Sequence, residues 1–582
     1  MYKKKSLLDH YWKINNIEER LILSFSQKNQ ISPFLAKLLL IRQVNDENIN
    51  DFLNPDINTN IPNPFLLKDM SKSVDRVIKA ILNNENVGII ADYDVDGSTS
   101  ATILYKFLNN FLKKIIIKTP NRLTEGYGPN LRIMDEMYES NIDLIFSLDC
   151  GTSSFNIIDN KKFSKIDVIV IDHHLSDKTL PNVFSIINPN RFDEDSQFNQ
   201  MAAVGITFLF LMALRKKLRE IEFFNKNKIE PNLLSYLDLV ALGTVCDVVS
   251  LVSYNRVFVK KGLEIIKKRM NKGIAQLIDN SKINSIPNSR DLGFVIGPQL
   301  NAASRIDDST LPSKLLISND IYNIETISRK LNLLNEKRKL IEQIVYEDSL
   351  IQAKKQVNQN YILVFGKDWH KGVLGIVASK LIKKYYKPTF VISFIDDIGI
   401  GSARSIQNID LGNIILEANK LNILISGGGH KMAAGLKINF ESLNKFQLYL
   451  KEQFEKFSPE IFNNIEKYDS ELSSNEINQD LLEVIESLEP FGSGNLEPRF
   501  IIKDLKIITT KVIKDKHILI FFENDFSTRF KGICFNCMGT PLGDYLLESL
   551  NVKLAFGCTI KRDSFSDSVI PQIIIIDAMI IN

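Results

Sequence analysis

Three short apolar segments that each run into an aspartate constrain the fold of this chain most strongly. Residues 87–91, 143–148 and 168–171 have strand length, and Asp92, Asp149 and Asp172 follow them directly. Longer amphipathic stretches lie between these segments, an alternation typical of a parallel sheet with crossover helices. Because the carboxyl ends of parallel strands share one edge of a sheet, we expect the three carboxylates to face one crevice.

Two further acidic residues follow the first of these segments. Asp94 and Asp96 come after Asp92 at intervals of two residues, and Gly97 stands next in the chain. The Ser-Thr-Ser run of residues 98–100 is predicted to open a helix that extends toward residue 112. The first strand and its helix therefore contribute three carboxylates to the expected crevice.

The third segment and a later one add further candidate ligands. His173 and His174 follow Asp172 immediately, and Asp247 lies inside the otherwise apolar segment 242–249. An unpaired carboxylate in apolar surroundings is costly, so we expect Asp247 to have a partner at the same site. A lone aspartate after a strand is usually a turn former or helix cap, and a lone histidine is usually structural. The combination favours a functional site.

Several carboxylates at close range repel one another unless cations or protons compensate their charge. Carboxylate oxygens with one or two imidazoles suit Mn²⁺ or Mg²⁺. The spacing of Asp92, Asp94 and Asp96 superficially resembles a calcium-binding EF-hand loop, but that loop needs an acidic residue where Ile103 stands. We therefore expect a site for divalent cations built from several strand ends.

Length, charge and cysteine content set broader limits. The 582 residues exceed what one hydrophobic core usually supports, and a net charge of +3 neither favours nor excludes a nucleic-acid partner. No apolar run reaches the roughly 20 residues that a membrane helix requires. The N-terminus lacks the apolar core of an export signal. Five sparse cysteines fit a reducing compartment, so a cytoplasmic location without membrane attachment is expected.

The chain is predicted to contain an N-terminal appendage, two α/β regions and a β-rich end. Residues 321–357 keep helical spacing without Pro or Gly and predict one long connecting helix. The α/β pattern lies on both sides of that helix, and β-rich segments with turn residues follow. The expected domains are residues 1–50, 51–320, 358–460 and 461–582, with the helix between the second and third.

Four ordered motifs resemble those of the DHH (Asp-His-His) phosphoesterases. They are residues 91–98, 149–154, 172–174 and 243–249. Residues 369–375, 401–404 and 427–430 resemble the accessory substrate-binding domain of that superfamily, called DHHA1. Residues 121–128 and 297–305 resemble its RecJ branch. The resemblance implies an α/β fold with a parallel-sheet DHH domain, a smaller α/β DHHA1 domain joined by a long helix, and a C-terminal β-barrel (OB-fold).

The resemblance also implies roles for individual residues. Asp149 would bridge two divalent cations, Mn²⁺ or Mg²⁺, and His174 would touch the scissile phosphate. The further metal ligands would be Asp92, Asp94, Asp96, His173 and Asp247. Of these, Asp92 could instead lie just outside the ligand shell. The implied substrate-binding residues are Arg122, His174, Asn301, Arg305, Ser402, Arg404, Gly428, Gly429 and His430.

The activity implied by the resemblance is two-metal hydrolysis of single-stranded DNA from a 5′ end, releasing 5′-mononucleotides during DNA repair and recombination. A single-strand-binding protein and a helicase would be partners of such an enzyme. Two alternatives stay open: a DHH phosphodiesterase acting on short oligonucleotides or small nucleotides, and a DNA-binding scaffold without catalysis.

Three further sequence features have alternative interpretations. Tyr127 could stack against a base or pack in the core. The Cys534-Phe-Asn-Cys537 pair could bind zinc, but it lacks a second paired motif, so small buried thiols are the expected explanation. The Gly427–Gly429 run could approach phosphate closely or form a simple tight turn.

Overall fold

A computed structural model describes residue 2 and residues 4–158, 160–283, 285–548, 554–563 and 570–581. The first and last residues of the predicted domains, Met1 and Asn582, lie outside these ranges. Contacts divide the chain into two compact units. Residues 50–339 and 490–496 form one, named here the aspartate unit, and residues 1–49, 340–489 and 497–582 form the other, named the composite unit. The domain limits given above stay predictions.

The first elements belong to the composite unit. They are β1 (Tyr11–Ile14), α1 (Glu19–Asn29) and α2 (Pro33–Ile41). Strand β1 pairs in parallel with a strand at Ile465–Tyr468. Trp12 of β1 is fully buried, and its ring lies 4.9 Å from that of Tyr468, centroid to centroid. The N-terminal segment is therefore packed into the composite unit.

The aspartate unit is built on a five-stranded sheet in the order β3-β2-β4-β5-β6. All four strand pairs are parallel, which confirms the predicted parallel sheet. Its strands are β2 (Val87–Ala91), β3 (Ile115–Lys118), β4 (Leu144–Leu148), β5 (Asp167–Ile171) and β6 (Ser185–Ile187). Strands β2 and β4 are buried along their whole length, as expected for strands covered on both faces.

Helices surround this sheet. They are α3 (Ile49–Leu53), α4 (Ile57–Asn60), α5 (Met70–Asn83), α6 (Val95–Leu108), α7 (Leu131–Glu139), α8 (Phe155–Ile158), α9 (Ala203–Glu220), α10 (Leu237–Cys246), α11 (Ser253–Lys267), α12 (Lys272–Asn280), α13 (Ser289–Asp291), α14 (Gly297–Ile306) and α15 (Leu311–Ile317). A π-helical turn, Leu292–Ile296, joins α13 to α14. Helices α6, α9 and α10 contribute many side chains to one large apolar core with β2 and β4.

Helix α6 begins earlier than the sequence indicated. It starts at Val95 and ends at Leu108, so the predicted start at Ser98 and extension toward Leu112 were wrong. The reason is that the Asp94 side chain accepts the N–H of Gly97 at 3.0 Å and caps the helix. As a result Asp94 marks the helix start and Asp96 lies in the first turn.

The long connecting helix is present. Helix α16 runs from Ile321 to Lys354, 34 residues, and ends three residues before the predicted limit of 357. In the part of the chain that the structure describes, none of the helices combines the length and apolar character needed to span a bilayer.

The composite unit contains a mixed five-stranded sheet in the order β10-β11-β9-β8-β7. Its strands are β7 (Ile362–Lys367), β8 (Thr389–Ile395), β9 (Ile398–Arg404), β10 (Ser426–His430) and β11 (Ala433–Asn439), and its helices are α17 (Leu374–Tyr385), α18 (Leu411–Lys420) and α19 (Leu443–Glu455). The β7–β8 pair is parallel and the other three pairs are antiparallel.

The C-terminal part of this unit is mainly β-structure, as predicted. Its elements are β12 (Ile465–Tyr468), β13 (Ser470–Leu472), α20 (Gln479–Ser487), β14 (Phe500–Ile502), β15 (Leu505–Ile513), β16 (His517–Asn524), β17 (Arg529–Cys534), α21 (Pro541–Glu548), β18 (Leu554–Arg562) and β19 (Pro571–Ile580). Seven of these strands form one sheet in the order β13-β14-β18-β19-β17-β16-β15.

Candidate metal centre and catalytic site

The candidate site lies at the carboxyl edge of the parallel sheet in the aspartate unit. Asp92, Asp149 and Asp172 directly follow the neighbouring strands β2, β4 and β5. Each backbone N–H donates to the carbonyl of the last residue of the adjacent strand, at 3.1, 2.9 and 3.1 Å respectively. These hydrogen bonds extend the sheet ladder by one step and hold the three aspartates at the same height.

Helix α6 places two further carboxylates beside this edge. The capping role of Asp94 fixes its side chain, and Asp96 is only 1% exposed. The Asp96 carboxylate accepts the N–H groups of Ala203 and Val204 at 2.7 and 2.8 Å. Both donors lie in the first turn of α9, where free N–H groups and the helix dipole favour an anion.

His173 lies at the centre of the carboxylates. Its Nε2 is 3.3 Å from Asp149 Oδ1, 3.6 Å from Asp247 Oδ2 and 4.0 Å from Asp96 Oδ2. Asp247 caps the C-terminal end of α10 and so reaches the site from a helix end. The structure thus brings residues from two strand ends and two helices around one imidazole nitrogen.

Three sets of side chains have ligand atoms within 4.8 Å of one another. The sets are Asp96 with His173 and Asp247, Asp92 with Asp94 and Asp149, and Asp149 with His173 and His174. Asp149 and His173 each belong to two sets. Asp149 and His173 therefore link the three sets to one another.

Unsatisfied polar atoms show that these residues fit divalent cations. Asp92 Oδ1, Asp149 Oδ1, His173 Nε2 and Asp247 Oδ2 are all inaccessible to solvent and have no hydrogen-bond partner among the described residues. Buried polar atoms in folded proteins nearly always have a hydrogen-bond partner. Four such atoms without one at the same place therefore require an explanation. Oxygen and imidazole donors suit Mn²⁺ or Mg²⁺, and bound cations would satisfy all four atoms.

The pKa values of the same residues, in the protein without bound ions, also indicate a site for cations. Burial and the charges of Asp96 and Asp94 raise the pKa of Asp149 well above its usual value. Burial, followed by neighbouring carboxylates, raises the pKa of Asp96 to about 7 and that of Asp247 to about 9. Burial, with the charge of His174, lowers the pKa of His173 to about 4, so this imidazole is a neutral ligand at neutral pH. Cations in the site would let these carboxylates ionise.

Asp172, which was predicted to face the crevice but not as a metal ligand, contacts both histidines. Its Oδ1 lies 2.8 Å from His174 Nδ1 and accepts the N–H of His173 at 2.8 Å, while Oδ2 accepts the N–H of Thr152 at 3.1 Å. Burial alone would raise the pKa of Asp172, but the hydrogen bond and charge of His174 hold it below its usual value. Asp172 is therefore an ionised partner that raises the pKa of His174 against the opposing effect of burial.

Asn188 is a second supporting residue that sequence reasoning missed. Its fully buried amide donates to the His174 carbonyl at 2.8 Å and to the Thr152 hydroxyl at 2.9 Å. Asn188 directly follows the short strand β6, the fourth of the neighbouring strand ends. The rule that found Asp92 and Asp149, a polar residue directly after an apolar strand, would also have found Asn188.

Four of the remaining residues singled out from sequence also lie in this unit. The Arg122 guanidinium lies 4.8 Å above the ring of Tyr93. Burial raises the pKa of Tyr93 to about 12, while the positive charges of both Arg122 and Arg305 oppose the rise. Asn301 lies one turn before Arg305 on α14, and its Oδ1 is buried without a hydrogen-bond partner among the described residues.

Tyr127 is not a buried core tyrosine. Its hydroxyl donates to the Asp149 carbonyl at 2.8 Å and lies 3.0 Å from His174 Nδ1. Its side chain is nevertheless half exposed. The residue thus combines a fixed hydroxyl at the site with an accessible ring edge.

The remaining predicted binding residues lie in the composite unit. Arg404 donates to the Ser402 hydroxyl at 3.2 Å, and both side chains pack against Gly375 in the first turn of α17. Gly428, Gly429 and His430 belong to strand β10, so the tight-turn interpretation of this run was wrong. In the sheet register, Ser402 and Gly428 both pair with Gly435, which places the two groups of residues at the same level of the sheet, on two strands separated by β11.

The Cys534 and Cys537 thiols are buried and not joined in a disulfide. The Cys537 thiol donates to the Cys534 carbonyl at 3.2 Å, and Nδ1 of nearby His517 accepts the N–H of Asn536 at 2.9 Å. These contacts indicate that residues 534–537 form a structural turn.

Three family models match the chain. The DHH family N-terminal domain matches residues 86–244, the DHHA1 domain residues 358–456 and the RecJ OB domain residues 468–577. The three matched regions coincide with the parallel sheet, the mixed sheet and the C-terminal β-structure.

Curated relatives match over most of their length. The chain is 32% identical to the single-stranded-DNA-specific exonuclease RecJ of Haemophilus influenzae, covering 85% of this chain and 87% of that protein. It is 31% identical to the Escherichia coli protein of the same name, covering 78% and 81%, and 28% identical to that of Bacillus subtilis, covering 98% and 71%.

Solved structures show the same fold. The structure of RecJ from Thermus thermophilus in complex with Mn²⁺ gives a TM-score of 0.82 at 22% identity, covering 99% of this chain and 80% of that one. A structure of exonuclease RecJ bound to manganese gives 0.57 at 27% identity, covering 68% and 96%. The three domain matches in order, the identity to whole relatives and the shared fold together show that this chain belongs to the RecJ family of the DHH phosphoesterases.

Proposed function

We propose that this protein is an exonuclease specific for single-stranded DNA that hydrolyses phosphodiester bonds with two divalent cations, Mn²⁺ or Mg²⁺. The observation that carries the proposal is the set of four buried, unpartnered ligand atoms on Asp92, Asp149, His173 and Asp247. Relatives over most of the chain are named as single-stranded-DNA-specific exonucleases, which supports the substrate. We further propose attack from a free 5′ end and release of 5′-mononucleotides.

The ligand sets suggest which residues would bind each of the two cations. Asp149 would be shared by both cations, with Asp92 and Asp94 on one side and Asp96, His173 and Asp247 on the other. When bound, paired divalent cations stabilise negative charge at phosphorus and the leaving oxygen and lower the pKa of a water molecule. The protein itself holds these ligands rigidly through backbone hydrogen bonds and excludes solvent from them.

His174 would contact the scissile phosphate. Asp172 accepts the Nδ1 proton and raises the pKa of the imidazole, so the protonated form is favoured. Nε2 is then the atom left to donate to a phosphate oxygen. The side chain is 40% exposed, which leaves it accessible to a substrate.

Other polar residues would bind the DNA backbone. In the aspartate unit these are Arg122, Asn301 and Arg305, whose donors suit phosphate oxygens. In the composite unit they are Ser402, Arg404, Gly428, Gly429 and His430. Gly428 has open space where a side chain would be, which would let a phosphate approach the backbone closely.

A cleavage assay tests the proposal. Purified protein with Mn²⁺ would be given single-stranded, duplex and RNA substrates labelled at either end, together with a length series of oligonucleotides. We expect mononucleotides from the 5′ end of single-stranded DNA. Shortening from the 3′ end would overturn the polarity, activity falling with chain length would favour a small-nucleotide phosphodiesterase, and binding without cleavage would favour a scaffold.

Replacing Asp172 tests the orientation of His174. In Asp172→Asn the imidazole loses its anionic partner, so its pKa should fall and the protonated form should be lost at a lower pH. We expect kcat/KM to fall about 100-fold, as for other residues that orient catalytic side chains, with the alkaline limb of the pH profile shifted toward lower pH. The matched control is Asp177→Asn, an exposed residue of the following loop. An unshifted alkaline limb would contradict this role.

We also propose a cytoplasmic location, supported by five cysteines without a disulfide. A single-strand-binding protein and a helicase are proposed partners, because each would supply or present single-stranded DNA. Pull-down with purified candidates would test both.

A further inference from the structure

A short loop from the C-terminal half of the sequence belongs to the aspartate unit. Residues 490–496, Pro-Phe-Gly-Ser-Gly-Asn-Leu, are flanked along the chain by segments of the composite unit. We name them the 490–496 loop. Within it, Gly492 and Asn495 exchange backbone hydrogen bonds at 2.9 and 3.2 Å, and the buried Asn495 amide donates to the Pro490 carbonyl at 2.9 Å. The loop is therefore a closed and internally fixed turn.

This loop is bound to the segment that follows Asp247. The Leu251 N–H donates to the Ser493 carbonyl at 2.7 Å, and Gly492 and Gly494 pack against Leu251 and Ser250. On the other side, the Ser289 hydroxyl donates to the Phe491 carbonyl at 2.5 Å. The anchoring point at Leu251 is only four residues from a proposed metal ligand.

The backbone between Asp247 and this anchor is strained. Val248 has a φ of +61° and is 68% exposed. A β-branched residue rarely adopts this left-handed conformation, and such strain persists only where the surroundings impose it. Helix α10 holds one end of the segment, because the Asp247 N–H donates to the Gly243 carbonyl at 2.9 Å. The 490–496 loop holds the other end.

We infer that the 490–496 loop is a positioning element for the metal centre: by anchoring Leu251 it keeps Val248 in its strained conformation and Asp247 directed at the cation shared with Asp96 and His173. This inference rests on the proposed function, because it concerns one half of the same two-cation site. It assigns a role in the catalytic unit to residues that lie far away in sequence.

Gly494 is the residue through which the inference can be tested. Its φ is +73°, and a Cβ there would lie 2.9 Å from the Ser250 Cβ, closer than real contacts allow. Gly494→Ala should therefore displace the loop from the segment that carries Asp247. Gly539 provides a matched control, since its φ is +70° but a Cβ would meet nothing within 4 Å. Both variants introduce the same backbone strain, and only one disturbs the anchor.

The experiment is Mn²⁺ binding to the full-length protein without DNA, followed by the electron paramagnetic resonance signal of free Mn²⁺. We expect two sites in the unmodified protein and in Gly539→Ala. In Gly494→Ala we expect one site to persist and the other to weaken by about tenfold, which matches the strain that Val248 would relieve by leaving its left-handed conformation once the anchor is displaced. Adding Val248→Gly to Gly494→Ala should restore most of the lost affinity, because glycine adopts the left-handed conformation without strain.

The outcomes separate this inference from the proposed function. If the unmodified protein binds no Mn²⁺, the proposed function fails. If it binds two ions and Gly494→Ala binds both equally well, or if Val248→Gly restores nothing, the positioning role is wrong. If circular dichroism shows that Gly494→Ala is unfolded, the Mn²⁺ binding of Ser289→Ala tests the inference instead. That variant removes only the hydrogen bond to Phe491. A several-fold weakening of one site supports the inference, and unchanged binding overturns it.

Discussion

Asp149→Asn is expected to abolish nuclease activity while leaving the fold intact. Asp149 belongs to two of the three ligand sets and is proposed to be shared by both cations, so an amide in its place would weaken both at once. Residues that act as a unit in catalysis typically lower kcat by at least about 10⁴-fold when removed. The measurement is release of nucleotides from 5′-labelled single-stranded DNA in the presence of Mn²⁺.

The same substitution should stabilise the metal-free protein. Burial and neighbouring carboxylates make ionised Asp149 unfavourable in the folded state without cations, and the amide removes that charge. At pH 8 in a chelator we expect the melting temperature to rise by roughly 3 °C. Asp195→Asn, whose side chain is 96% exposed, is the control and should change neither quantity. Activity above about 1% of the unmodified enzyme would contradict the bridging role.

Removing divalent cations should abolish hydrolysis and make stability fall as the pH rises from 7 to 9. The pKa values of Asp96, about 7, and Asp247, about 9, exceed those expected in the unfolded chain. In this window the folded protein binds more protons than the unfolded chain, so raising the pH destabilises it. His173 has a lowered pKa of about 4 and is neutral in the folded protein, and the unfolded histidine is mostly neutral above pH 7, so it opposes the trend only slightly.

Thermal melting in a chelator and in Mn²⁺ measures this effect. In the chelator we expect the melting temperature to fall by roughly 5 °C between pH 7 and 9. With Mn²⁺ the fall should disappear, because cations replace the protons. Asp247→Asn removes the group with the higher pKa and should flatten the slope in the chelator. A melting temperature that is constant or rises with pH in the metal-free protein would refute the electrostatic account.

The strand pattern predicted the parallel sheet and the edge at which the site lies, because alternating apolar runs identify parallel strands and topology places their carboxyl ends together. It did not predict where α6 begins. A carboxylate that caps a helix and one that only precedes it have the same sequence neighbours, and the Asp94 cap decided between them.

The supporting roles of Asp172 and Asn188 were not predicted. Asp172 was expected only to face the crevice as part of the 172–174 motif, and its contact with His174 depends on a side-chain direction fixed by Thr152 from another loop. Asn188 was not considered, because β6 is too short to stand out as a strand. The Gly427–Gly429 run left a close approach to phosphate and a tight turn open, and pairing with β11 makes it a strand.

By itself the sequence determined the chemistry of the protein: which residues carry carboxylates and imidazoles, and the edge of a parallel sheet at which the strand ends meet, since both follow from local periodicity and ordered motifs. Only the tertiary structure decided which atoms are buried without partners and which distant segments support them. The 490–496 loop shows the reason, since its hydrogen bond to Leu251 joins residues 242 positions apart, and no local pattern encodes such a contact.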